Sequence, residues 1–288
     1  MKKAIFINLL LFTNFLIISC SSPNQVENEK LQSGQYYLSI NENSTKVLEH
    51  DQNGLKININ NQDLNRFKKV GSIYYSDLGA IGDGISDDMI FIRATHALAN
   101  HYGFDVKADD DAFYIISGKK GSAIISTNTD FGKATFIIDD TNVEDHTSSI
   151  FEVRSKKSVV KIDQIKSIKK GQKKINLKIN EAGLIIANDT NVRRYIRYGL
   201  NQNNGKEQTD IFLVDKNGII DENTPLLWDF NNISEMTCLL IDKEKLNIKG
   251  GKFITIANQE EEENHPYYSR NLLINRSNVE VYNLKHFV

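Results

Sequence analysis

Residues 73–88 read Ile-Tyr-Tyr-Ser-Asp77-Leu-Gly79-Ala-Ile-Gly82-Asp83-Gly84-Ile-Ser86-Asp87-Asp88, and a helical pattern follows at once. Ile90, Ala94, Ala97, Leu98 and His101 fall at i, i+4, i+7, i+8 and i+11, one apolar stripe on a short helix. Ser86 and Asp87 are suited to cap its start, and Gly103 to end it. A strand, a glycine-rich turn and a helix also suggest a pyrophosphate cradle. Electrostatics argue against it. Asp83, Asp87 and Asp88 crowd the helix N-terminus, where a phosphate would need the free backbone N–H groups. No nucleotide is expected at this turn.

Around this stretch lie 288 residues, 40% hydrophobic and 25% charged, enough to fold as one elongated domain or one domain carrying an insert. A net charge of −2 lacks the basic excess of a general nucleic-acid binder. At the N-terminus, Lys2-Lys3 precede an apolar stretch, Ala4 to Ile18, shorter than a spanning helix needs. It ends at Ile17-Ile18-Ser19-Cys20, which resembles the bacterial lipobox, with Ser19 admitting the peptidase and the Cys20 thiolate taking the lipid. Residues 1–19 are thus expected to be a lipoprotein signal peptide and 20–34 a polar tether. The body would then be held at the membrane by lipid alone, in the bacterial cell envelope, facing the periplasm or the surface. Cys238 would be left as a lone thiol in the apolar run Met236–Ile241, an inert buried position.

The acid-and-glycine stretch resembles the entry segment of the pectate-lyase-like right-handed parallel β-helix superfamily, in which D-x-G-A-x-G-D-G-x-x-D-D leads into a helix capping the first coil. Asp77, Gly79, Ala80, Gly82, Asp83, Gly84, Asp87 and Asp88 match it residue by residue. One departure stands at Asp109-Asp110-Asp111, where the family often has a Pro-x-Gly turn. The resemblance implies an all-β fold: a right-handed parallel β-helix with a short N-terminal capping helix. The same motif occurs in phage tailspikes, a reading that the export signal disfavours.

Later patterning fits stacked coils. Phe113 to Ile116, Ala123 to Ile125 and Ala134 to Ile138 are short apolar runs split by turn residues. Leu246-x-Ile248, Gly250-Gly251 and Phe253 are echoed by Val279-x-Val281 and Leu284, with Asn247, Asn278 and Asn283 suited to corners. Residues 35–153 are expected to hold the N-terminal segment, cap helix and first coils. From 154 to 230 the pattern turns hairpin-like, a small antiparallel β insert, with a turn at Asp215-Lys-Asn-Gly218. Coils are expected to resume over 231–288, near Leu239 to Ile241, and to be incomplete, since no terminal cap follows Val279 to Val288.

Scaffolds of this family imply a polysaccharide partner. The expected function is that of a cell-envelope lipoprotein acting on an extracellular, acidic polysaccharide, with a lyase favoured over a hydrolase. The alternatives are a non-catalytic glycan-binding or adhesive β-helix, or an inactive truncated remnant. The hydrolase signature is missing: Asn128-Thr-Asp130 matches one element, but no Gly-His-Gly or Arg-Ile-Lys follows, and a solvated turn is expected there. The lyase Arg-x-Pro-x-x-Arg element is also missing. The best remaining constellation is His265, Tyr268 and Arg270, in a loop that also carries Tyr267, with His286 on the next rung. The acidic run Glu260 to Glu263 would repel an anionic polymer unless Ca²⁺ bridged it, and Asp109 to Asp111 and Asp139-Asp140 are further possible Ca²⁺ holders, though no specific motif marks one. Arg154 to Lys178 holds ten Lys or Arg against one acid, Asp163. It suits either an acidic glycan or a solvated hairpin edge. Tyr195, Arg197 and Tyr198 are expected to brace the insert.

Overall fold

The computed structural model of the chain describes residues 28–31, 36–40, 42–50, 54–117, 121–143, 145, 147–194, 205–256 and 270–287. It opens with a four-stranded sheet of β1 (Asn28–Lys30), β2 (Tyr36–Ile40), β3 (Lys46–His50) and β4 (Gly54–Ile59), ordered β1-β2-β4-β3. Leu55, Ile57 and Ile59 alternate into its core, as period-two patterning requires. Helix α1 (Asn61–Val70) follows. The Asn60 side chain accepts from Asp63 N–H at its start, Gly71 ends it with φ 73°, and Leu64 and Phe67 form its buried face. This helix escaped the sequence reading, although Asn60, Asp63 and Gly71 stand where start and stop signals belong.

β5 (Ser72–Tyr74), a 3-10 turn over Tyr75–Leu78, and β6 (Asp83–Asp87) lead to helix α2 (Met89–Tyr102). Every acid of the motif holds backbone. The Asp77 carboxylate accepts from Tyr74 N–H at 2.8 Å and from Arg66 at 2.8 Å. Asp83 Oδ1 accepts from Ile85 and Ser86 N–H at 2.8 and 2.7 Å. Asp88, wholly buried, turns back to accept from Ile81 N–H at 2.7 Å and Gly82 N–H at 3.0 Å. Gly82 has φ 65°, and a Cβ there would lie 2.8 Å from that of Ala112, so only glycine lets the turn close against the start of the strand that follows α2 and pairs with β6.

Two details depart from the helix reading. The cap residue is Asp88, one later than Ser86 and Asp87, and its side chain is committed to the loop; Asp87 alone reaches the helix end, accepting from Met89 N–H at 3.1 Å. The predicted stripe also fails at its ends, where Ile90 is only half-buried and His101 is exposed, and it is incomplete, because Met89, Ile92, Arg93, Thr95, His96 and Ala99 are buried too. The helix touches the N-terminal sheet through β3 and β4 and the following strands on other sides, so an amphipathic period is masked by burial nearly all round. Gly103 ends it as expected, with φ 82°.

From here the chain visits parallel sheets in a repeating order. β7 (Asp105–Lys107), β8 (Phe113–Ser117) and β9 (Ala123–Ile125) are followed by β10 (Thr129–Asp130), β11 (Thr135–Asp139) and β12 (Phe151–Arg154). An antiparallel sheet intervenes: β13 (Val160–Lys161), β14 (Gly183–Arg194), β15 (Lys206–Val214) and β16 (Glu235–Leu240). Then come β17 (Leu246–Lys249), β18 (Lys252–Ile256), β19 (Leu272–Asn275), β20 (Val279–Tyr282) and β21 (Lys285–Phe287). Among the described residues three parallel sheets result, ordered β20-β17-β10-β7-β5, β21-β18-β11-β8-β6 and β19-β12-β9. The echo seen in the sequence is a strand pairing, Leu246 against Val279 and Ile248 against Val281.

The interior between these sheets is an apolar column. Tyr75, Tyr114, Phe136 and Phe253 follow one another with ring centroids 5.4, 5.2 and 5.0 Å apart, and Phe131 and Phe151 pack against them. Each such side chain contributes roughly 1.5–3 kcal/mol relative to exposure. The corner before β18 is packed backbone on backbone. A Cβ on Gly250, where φ is 75°, would lie 2.7 Å from the Gly132 carbonyl oxygen, and Gly251 N–H donates to that same oxygen at 2.9 Å. Asn278 and Asn283 take left-handed φ of 57° and 59° at corners, whereas Asn247 lies inside β17.

The antiparallel sheet is ordered β13-β16-β14-β15 and has its own core, including Ile185, Phe212, Phe230, Met236 and Cys238. Its turn at Asp215–Gly218 is held by Asp215 Oδ1, which accepts from Asn217 and Ile219 N–H at 2.8 Å each. The sheet extends further than its sequence pattern suggested. Leu239 and Leu240 belong to β16, so the parallel strands resume at Leu246 rather than near Ile241. Cys238 is buried, and desolvation pushes its thiol pKa up, the condition of an unreactive cysteine.

Candidate functional site

The most organised polar surface is the outer face of the sheet β20-β17-β10-β7-β5. Its inward positions Ile73, Val106, Thr129, Ile248 and Val281 align across five strands. One residue further along each strand, pleating turns the next side chain outward. The result is a ladder at one level: Tyr74, Lys107, Asp130, Lys249 and Tyr282. Asp105, Asn128, Asn247 and Glu280 form a second outward row beside it. A cavity of about 410 Å³ lies along this face, lined among others by Asp105, Lys107, Asn128, Asp130, Asn247, Lys249 and Tyr282.

Charges on the ladder alternate. Lys249 Nζ lies 3.1 Å from Asp130 Oδ2, and that hydrogen-bonded contact raises the lysine pKa, keeping it an ammonium. Asp130 Oδ1 accepts from Gly132 N–H at 2.9 Å, which fixes the carboxylate. Lys107 Nζ lies 5.7 Å from the centre of the Tyr74 ring, and pairs with no carboxylate among the described residues. In the second row Asn128 Nδ2 donates to Asp105 Oδ1 at 3.2 Å, and Asn128 Oδ1 accepts from Asn247 N–H at 3.0 Å. Lys245 and Glu280 pair at 3.0 Å. Tyr74 and Tyr282, each 39% exposed, offer rings at the two ends. Such a surface can stack sugar rings, bond hydroxyls and take an anion at Lys107.

The sequence passed over this face. Asn128-Thr-Asp130 was expected to be a solvated turn; Thr129–Asp130 is instead the central strand, with Asp130 midway along the ladder. A two-residue strand leaves no period to read, so neither side of the ladder was visible without the register.

The residues singled out from the sequence are placed differently. Arg270 lies in the interior: its guanidinium and the Asp140 carboxylate are 4% and 0% exposed, with Nε donating to Oδ1 at 3.0 Å. Its Nη1 also donates to Ser148 O and Oγ at 2.9 and 2.6 Å. That is a structural use of the side chain, unlike the uronate-polarising role expected from the loop. His286 is exposed on β21, its Nε2 2.9 Å from Thr255 Oγ1. Arg270 and His286 line one cavity of about 260 Å³, but its other walls include Phe131, Phe151, Phe253 and Leu284, an apolar setting. His265, Tyr267, Tyr268 and Glu260 to Glu263 lie outside the described residues, as do Cys20, Tyr195, Arg197 and Tyr198.

Of the acids considered for Ca²⁺, Asp109, Asp110, Asp139 and Asp140 are engaged elsewhere. Asp109 accepts from Ser76 Oγ at 2.6 Å and from the Tyr114 hydroxyl at 2.7 Å, and Asp110 Oδ1 from Lys133 N–H at 3.3 Å. Asp139 accepts from Thr141 N–H and Oγ1. Among the described residues no group of three or more His, Cys, Asp or Glu is placed to hold a metal. In the basic segment, Lys157 pairs with Glu181 and Lys161 lies 3.7 Å from Asp163, while Lys166, Lys169, Lys170, Lys173, Lys174 and Lys178 are exposed.

Among solved structures, the chain is similar to the tailspike protein gp49 from Pseudomonas phage LKA1, with a TM-score of 0.43 and 16% identity over 64% of this chain. It spans about a third, 34%, of that tailspike's length. No family model matches the sequence, and no curated protein matches it.

Proposed function

We propose that this chain is a lipid-anchored cell-envelope protein, built as a pectate-lyase-like right-handed parallel β-helix, that binds an extracellular polysaccharide bearing acidic groups. The observation that carries the reading is the ladder Tyr74–Lys107–Asp130–Lys249–Tyr282, an extended polar strip with aromatic rings at its ends and a cation free of carboxylate partners among the described residues. It runs along the stacking direction, the arrangement that offers successive sugars to successive strands. The entry motif at Asp77 to Asp88 supports the β-helix, and the Ser19-Cys20 quartet supports the anchor.

Binding is favoured over elimination on this face. A uronate lyase needs a cation to neutralise the carboxylate and a base to remove the neighbouring proton. Lys249 is held as an ammonium by Asp130, so it can neutralise charge but is a poor base. Affinity electrophoresis of the chain through gels containing neutral or acidic polysaccharides tests the reading, with the absorbance of unsaturated uronate followed in parallel. Retardation without product is the expected result. Unsaturated product would make the protein a lyase, and no retardation by any polymer would overturn the proposal.

A further inference from the structure

We infer that the groove selects polysaccharides in which acidic sugars alternate with neutral ones, and that Asp130 is the residue rejecting a polymer charged at every sugar. This rests on the reading of the ladder as a glycan-binding face. Neighbouring strands are about 4.8 Å apart, and a pyranose advances an extended chain by roughly the same distance, so one sugar meets one strand. The ladder spans β5, β7, β10, β17 and β20, and its charged rungs read positive, negative, positive. Lysines therefore stand on every second strand of this stretch, strands about 10 Å apart, with a carboxylate on the strand between them.

A homopolyuronate laid along this strip carries a carboxylate on every sugar, so the sugar between those at Lys107 and Lys249 adds a further acid near Asp130. Asp130 is held on the strip, because Oδ1 accepts from Gly132 N–H at 2.9 Å and Oδ2 lies 3.1 Å from Lys249 Nζ. Asp105, two residues from Lys107 in the second row, adds negative potential on the same face. An alternating polymer in register meets Lys107 and Lys249 with its acids and Asp130 with a hydroxyl or amide, both of which donate to a carboxylate. The spacing of charge along the polymer is thus the property that the face reads.

The test is binding by the full chain to two alternating polymers, hyaluronate and chondroitin, and two homopolyuronates, polygalacturonate and polymannuronate. The alternating pair should bind about tenfold more tightly or better. Asp130→Asn keeps an acceptor for Gly132 N–H and removes the charge, so it should narrow the gap to about threefold or less by tightening homopolyuronate binding, with an unchanged melting temperature. Lys107→Gln should weaken the alternating polymers. Homopolyuronates binding as tightly as the alternating pair, or an affinity ratio unmoved by Asp130→Asn, would overturn the inference while leaving glycan binding intact. Retention of no polymer at all is a different result, and would remove the binding reading and the inference together.

Discussion

Arg270 and Asp140, 130 positions apart in the chain, meet through a 3.0 Å hydrogen bond that solvent barely reaches. The guanidinium also holds Ser148, so one side chain ties the loop after β11 to the entry of β19. Arg270→Met leaves a buried carboxylate uncompensated and should lower stability by about 3–5 kcal/mol in urea denaturation. Adding Asp140→Leu removes the orphaned charge and should recover much of that loss. Equal losses in the single and double variants would show that the stranded carboxylate is not the source of the cost.

Asp88 should matter more than its exposed neighbour in the motif. Asp88→Ala removes a buried carboxylate and strips Ile81 and Gly82 N–H of their acceptor in a partly buried turn, for a loss of about 1–3 kcal/mol. Asp83→Ala opens bonds that water can replace, and should shift the melting temperature less. Thermal melts of the two variants check the ranking.

His96 gives the fold an acid-side weakness. It is wholly buried, its Nε2 lies 2.9 Å from the Tyr75 hydroxyl, and desolvation holds its pKa down at about 3 from an ordinary 6.5. Between those values the unfolded chain binds a proton that the folded chain refuses, so stability falls as pH drops through 6.5. The slope approaches about 1.4 kcal/mol per pH unit. His96→Gln should flatten urea-derived stability between about pH 5.5 and 6.5, above the range where ordinary carboxylates take up protons appreciably. A slope that survives the substitution would assign the effect elsewhere.

Tyr74 and Tyr282 are expected to anchor a bound glycan. Truncating either to Ala should weaken binding about five- to twentyfold without changing the melting temperature, since both rings already face solvent. Affinity electrophoresis reads the loss directly.

Attachment to the envelope can be checked at Cys20. Cys20→Ala should abolish incorporation of labelled palmitate in a bacterial host and release the protein from the membrane pellet. Labelling that persists in the variant would sink the lipobox reading.

What the sequence disclosed follows from how far each interaction reaches along the chain. The motif at Asp77 to Asp88 was legible because its bonds are local: Asp83 to Ile85 and Ser86, Asp88 to Ile81 and Gly82. The pairing of Leu246-x-Ile248 with Val279-x-Val281 was legible because both strands kept the same spacing. The N-terminal sheet escaped notice although β3 and β4 pair antiparallel across a short connection; only the parallel pairing of β2 with β4 leaves no shared turn to read. The ladder was illegible for a related reason. Asp130 and Lys249 lie 119 positions apart, and only the strand register makes them neighbours. Arg270 drew attention as a cation in a polar loop, and nothing local announced that Asp140 would bury it.

The antiparallel insert leaves the stack at β12 and rejoins it at β17, yet β17 lies directly on β10 as though residues 155–245 were not there. The neck of this excursion is closed by Ser155 Oγ donating to Asp242 Oδ1 at 2.8 Å, next to where the branch leaves and returns. The register between β10 and β17 is consequently indifferent to what hangs from the neck. The appendage is thus a cassette: swapping, enlarging or removing it should leave the parallel strands and their ladder in step, and a foreign module could be grafted at the same two residues.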